Sequence, residues 1–212
     1  MERGLRYLTI DGLASQIMVT LTGVFFVAFA LKLGASNFYI GAISAVPPLA
    51  QLFQIPSTYI VSTVKKRRKV SVYTSLISRS FWFLAALAPL LPYGRALIFL
   101  MLGLIVSSLF SAISNCAWNS WVRDLVPDSV HGTFFSRRLS IAMAGALVIS
   151  IIAGLFTDAM QNSIWAYSAL LISAGAIGFA GVYMLSLVPE VSADENFSLS
   201  ALAEPYRDRN FR

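Results

Sequence analysis

The chain has 212 residues, 57% of them hydrophobic and only 12% charged, with a mean hydropathy of +0.72; soluble domains carry about 25% charged residues, so that class is excluded. Sixteen Lys and Arg against ten Asp and Glu give a net charge of +6, but these cations sit in short breaks between apolar runs, which excludes a nucleic-acid-binding face. A single cysteine (Cys116) and a single histidine (His131) exclude a disulfide framework, a multi-cysteine zinc site and a histidine metal cluster.

About 20 apolar residues cross a bilayer as a helix. Six stretches meet or approach that length: 12–31, 38–64, 70–91, 96–122, 139–157 and 163–188. They predict an all-α membrane protein, a six-helix bundle over residues 1–188, followed by a tail or linker over 189–212. The first run follows Arg3 and Arg6 as a signal peptide would, yet it exceeds the 7–15 apolar residues of a signal and five more spans follow. It reads as a retained helix. Period-2 alternation is missing from these long continuous runs, so membrane β-strands are excluded.

Cations set the orientation. Arg3 and Arg6, the run Lys65–Lys69, Arg123, Arg137 and Arg138, and Arg207, Arg209 and Arg212 all fall on one side of the six spans. The other side holds only Lys32 and Arg95. Both termini are therefore expected in the cytoplasm. The five-cation run reads as a topology anchor, since each cation near an anionic leaflet contributes about 1 kcal/mol. In the competing reading it is a gate that meets Asp124 or Asp128, or an acid elsewhere.

Polar side chains inside the spans are the candidates for function, because hydrocarbon cannot solvate them. At 100° per residue, Ser44, Gln51, Gln54 and Thr58 fall within about 80° of one another in the second span. Ser108, Ser111, Asn115 and Asn119 do the same in the fourth, with Trp118 beside them. The first span places Gln16, Thr20 and Gly23 on one side and Asp11, Ser15 and Thr22 on another. Serines and threonines read as interhelical hydrogen-bond glue, and the amides as lining of a shared polar cavity. Arg79 is the one cation deep inside a span. With Asp11 placed near a boundary, Arg79 is expected to snorkel or to find its partner outside this chain. Ala142, Ala146, Ser150 and Gly154 recur every four residues in the fifth span, and Ala174 and Gly178 lie in the sixth; both sets predict close helix packing.

Enzyme signatures are missing. There is no phosphate-binding Walker A loop, no GxSG motif, and no triad partner for His131. Asp11-Gly12 followed by Ala14 matches only the opening of an alcohol-phosphotransferase signature. No catalysis and no cofactor are expected.

Leu33-Gly34-Ala35-Ser36 followed by Ile40-Gly41, the stretch Val126-Pro127, His131-Gly132, Phe135 and Arg137-Arg138, and the basic end Arg67-Arg68-Lys69 together resemble the N-terminal six-helix half of a major facilitator superfamily transporter. The resemblance covers nearly the whole chain. It departs in the stretch 59–69, which has neither glycine nor acid, and in 97–122, which has no arginine, and these departures speak against a proton-coupled drug antiporter. The resemblance implies alternating-access transport of a small solute in the cell membrane, with a second six-helix half in the same polypeptide, a split partner or a homodimer. Helices 1 and 4 of that family line the cavity, which implies solute contacts at Gln16, Thr20, Asn115, Trp118 and Asn119; Gln51, Gln54 and Arg79 join them from their stripes and depth. The alternative is a non-transporting membrane scaffold or partner-binding subunit. Lipid and solute are the expected partners, and nucleic acid is not.

Overall fold

The computed structural model describes residues 2–64, 66–92 and 94–190. The expected linker over 189–212 and Lys65 therefore lie almost entirely outside the described residues. Helix α1 runs Glu2–Lys32, α2 Asn37–Gln51, α3 Gln54–Thr63, α4 Arg67–Ala85, α5 Arg95–Leu125, α6 Asp128–Ala159 and α7 Ile164–Ser186, with a single 3-10 turn at Ala88–Leu90. No strand occurs among the described residues.

Four helices (α1, α5, α6 and α7) are long and apolar enough to cross a membrane. At 1.5 Å per residue the 31 residues of α1 extend about 46 Å, against a hydrocarbon core of about 30 Å. Helices α2 and α3 pass the same test only as a pair, bent by 42° across Leu52 and Phe53. The fold is thus all-helical, with four or five membrane-compatible elements, as a multi-pass membrane protein requires.

Two differences from the expected spans have plain causes. The second span is not one helix. Pro47 and Pro48 lie inside α2 and Pro56 opens the next turn after the break, each lacking an N–H for the helical ladder. Helix α6 begins at Asp128, eleven residues before the apolar run, because Pro127 and Asp128 start a helix chemically well before the sequence turns apolar.

Helix α4 is too polar to pass as a span, and its packing explains why. Its buried face reads Ser71, Ser75, Ser78 and Arg79. Ser71 and Ser75 meet Ser114 Oγ at 3.3 and 2.6 Å, and Ser78 meets Ser107 Oγ at 3.2 Å. Ser107 and Ser114 also donate to the carbonyls of Ser78 and Ser71. Small hydroxyls let two backbones approach and then join them, as helix pairs in membranes do. The α4–α5 seam is hydroxyl-bonded.

The buried core gathers Phe26, Phe81 and Trp82, whose rings stand edge to face at 5.4 Å for Phe26 and Trp82. Helix α7 is central, half of its apolar window being buried, whereas only 17% of that of α6 is. The outward face of α6, including Leu147, Ile151 and Leu155, is exposed and suits lipid. Its close-packing positions are Ala142, Gly145 and Ala153; a β-carbon on Gly145 would come within 2.2 Å of Leu13. The predicted four-residue ladder is thereby corrected, because Ser150 faces outward and Gly154 has nothing within 4 Å of its added β-carbon. Between α1 and α2, Gly34 takes φ +83°, a turn that only glycine makes without strain, and Ser36 then caps α2 by accepting from the Tyr39 amide.

Candidate functional site

Two of the cavities among the described residues bear on function. The larger, about 410 Å³, is lined from α1 by Met18, Val19, Thr22, Gly23, Phe26 and Val27, and from α2 by Ile43, Ser44, Pro47 and Gln51. Serines 78, 107, 108 and 111 complete it with Trp82 and Leu104. It is apolar with scattered hydroxyls and holds no charge. The smaller cavity, about 290 Å³, is lined by Asp11, Ser15, Gln54, Ser75, Arg79, Ser114, Asn115, Trp118, Asn119, Arg138 and Leu185.

At the centre of the smaller cavity one carboxylate meets two guanidiniums. Asp11 Oδ1 lies 3.6 Å from Arg79 Nη2, and Asp11 Oδ2 lies 3.9 Å from Arg138 Nη2. Asp11 and Arg79 are buried, with side chains at 4% and 9% exposure, and Arg138 is partly buried at 20%. Arg79 is engaged through both terminal nitrogens: Nη1 donates to the Gly178 carbonyl and Nη2 donates to Ser15 Oγ at 2.8 Å. Ser15 in turn donates to Asp11 at 3.3 Å. Arg138 donates through Nε to the Leu8 carbonyl at 3.1 Å and lies 4.7 Å over the Trp118 ring. The group ties α1, α4, α6 and α7 together.

Glycines make the room. A β-carbon on Gly181 would stand 3.0 Å from Arg79 Nη1 and 3.2 Å from Asp11 Oδ1; on Gly178 it would stand 2.7 Å from Met18 Sδ and 3.1 Å from Arg79 Cδ. On Gly12 it would meet Arg138 Nε at 2.5 Å. Larger residues at these places would push the guanidiniums off the carboxylate.

This arrangement corrects the expected fate of Arg79. It neither snorkels nor waits for an outside partner, because Asp11 of the same chain faces it. Helix α1 starts at Glu2, so nine helical residues precede Asp11 and about 14 Å of helix lies before it. Twelve residues of α4 precede Arg79, about 18 Å. The two groups sit at nearly the same depth.

The eight predicted contacts divide. Gln54, Arg79, Asn115, Trp118 and Asn119 share the charged cavity, and Gln51 lines the other one. Gln16 and Thr20 line neither; on α1 the face bearing Asp11, Ser15 and Thr22 does so instead. Gln54 donates to Gln51 across the α2–α3 break, which links the two cavities. Sequence reasoning missed Arg138 by assigning it to a loop. The acid at position 11 beside Gly12, one helical face away from Gln16, was the available signal for this cluster.

At the same end of the bundle Arg67 pairs with Asp124, and Arg68 pairs with Glu190 at 3.7 Å while donating to the Val188 carbonyl. Two of the five clustered cations thus tie the start of α4 to the ends of α5 and α7. Among the described residues no three His, Cys, Asp or Glu side chains come together as a metal site. The chain matches no protein-family model, and no curated protein is significantly similar to it.

Proposed function

We propose that this chain is one six-helix bundle of a secondary transporter of the major facilitator type, moving a small polar solute by alternating access. In this reading α4 is the sixth membrane element, its hydroxyl and arginine face hidden against α5 and α7. The basic end, with both termini, lies in the cytoplasm of a cell whose plasma or inner membrane holds the protein. A second bundle, in the same polypeptide, a split partner or a second copy, completes the path. The chain carries out no catalysis and needs no cofactor.

The observation that carries this reading is the charged cavity itself. Ionisable groups inside membrane helices are costly and mark solute or ion pathways, and a cavity lined by Asn115, Asn119, Trp118 and Gln54 beside two arginines has ligand-binding chemistry. Transport sites of this class lie between helices and open toward the other repeat; Asn115 and Asn119 are the exposed members of the lining.

Uptake of a solute panel into proteoliposomes by the complete protein, with and without a pH gradient, tests the reading. Saturable uptake that falls at least tenfold in Asn115→Ala/Asn119→Ala is the expected result. Uptake unchanged by both substitutions removes the site assignment. No saturable uptake of any solute favours a scaffold or partner-binding subunit.

A further inference from the structure

We infer that the smaller cavity is a binding site for a monoanionic carboxylate, and that Arg138 is the side chain that receives it. The inference names the solute class for the transport reading above and rests on that reading for its physiological meaning.

Charge is the first argument. Two guanidiniums and one carboxylate leave the charged lining of the cavity one positive charge in excess. A buried charge without a counterion is strongly disfavoured. A single negative charge neutralises the excess, whereas a phosphate at about −1.5 to −2 would overshoot it.

The arginines differ in what they have left to give. Arg79 spends its guanidinium on the Gly178 carbonyl, Ser15 and Asp11. Among the described residues Arg138 hydrogen-bonds only through Nε, to Leu8; its Nη2 is 3.9 Å from Asp11, beyond hydrogen-bond reach, and it is about twice as exposed as Arg79. Arg138 Cζ stands 4.7 Å over the Trp118 ring, a contact that helps hold the fork at the cavity wall. A fork of this kind matches a carboxylate with two parallel hydrogen bonds.

A third donor is waiting. Trp118 Nε1 is buried and has no hydrogen-bond partner among the described residues, although buried indole N–H groups ordinarily find one. It belongs to the same cavity as the Asn115 and Asn119 amides, one helical turn apart on α5. At about 290 Å³ the space stands at the lower end of small-molecule pockets, about 300–1,000 Å³, which fits a short acid.

The test is ligand-dependent thermal unfolding and calorimetric titration of the purified chain in detergent at constant ionic strength. The probes are lactate, benzoate, inorganic phosphate, choline and glucose. At least one monocarboxylate is expected to raise the Tm in a saturable way, with phosphate weaker and choline and glucose without effect. Arg138→Gln is expected to weaken that binding at least tenfold, Arg138→Lys to restore part of it, and Trp118→Phe to weaken it several-fold with the ring contact kept. Should Arg138→Gln fail to fold, Trp118→Phe alone decides.

Equal stabilisation by choline or glucose overturns the inference. So does stronger binding of phosphate than of either carboxylate, or a Kd within twofold of the parent chain in the variants that fold. Binding here is read without transport, so the two readings fail separately. A chain that binds carboxylates while the complete protein moves nothing defeats only the transport reading. A complete protein that moves only a neutral or cationic solute defeats only this one.

Discussion

The two cavities share helices α1, α4 and α5 and differ in their chemistry. The polar stripe of α5 borders both, supplying Ser108 and Ser111 to the larger and Asn115, Trp118 and Asn119 to the smaller. Around the larger one, the polarity seen is local: Ser107 donates to the Ser78 carbonyl on the neighbouring helix, and their hydroxyls meet at 3.2 Å. Around the smaller one, polarity spans four helices through a single carboxylate. Hydroxyls are cheap to bury and interchangeable, whereas charges must be matched at one depth and one geometry. The first cavity is a by-product of packing, and the second is organised by electrostatics.

The contrast can be broken most directly at Asp11. Asp11→Asn leaves two guanidiniums facing each other in a buried site, and breaking such a pair costs about 3–5 kcal/mol. Unfolding in mixed micelles should show that loss. If Asp11→Asn cost no more than a serine substitution at the other cavity, the two regions would not differ as argued.

A smaller effect is expected at Gly178, where an added methyl meets Met18 and the Arg79 stem. Overpacking of this kind costs about 1–3 kcal/mol. Gly154→Ala on α6, where the added β-carbon meets nothing, is the matched control and should be neutral under the same denaturation. A neutral Gly178→Ala would mean that the arginine does not depend on close approach by α7.

Least is expected from Ser107→Ala. It removes the hydroxyl contacts with Ser78, and membrane hydrogen bonds of this type contribute about 0.6 kcal/mol on average. A loss approaching that of Asp11→Asn would show that the hydroxyl seam, and not the charge cluster, dominates stability.

Apolar length made the helices legible in the sequence, because hydrocarbon demands it. What was hidden lay where helix and apolar run part company. Asp11 looked peripheral because the apolar run starts at Gly12, yet the helix starts at Glu2; Arg138 looked like a loop residue because the helix begins eleven positions before its run. Helical angles found the Asn115–Trp118–Asn119 face, since α5 is continuous. They misled for the second span, where the break at Leu52 and Phe53 sends Gln51 and Gln54 to different cavities. Gln16 and Thr20 line neither cavity, and Thr20 returns its hydroxyl to the Gln16 carbonyl within its own helix.

The paired prolines of α2 bear on the larger cavity. Neither Pro47 nor Pro48 can donate to the carbonyl four residues earlier, and those carbonyls belong to Ile43 and Ser44, two residues of the larger cavity's wall. Two carbonyls in residues that line the larger cavity are thereby left without their donors four residues on, so part of that cavity's polarity is found in the backbone of its α2 residues.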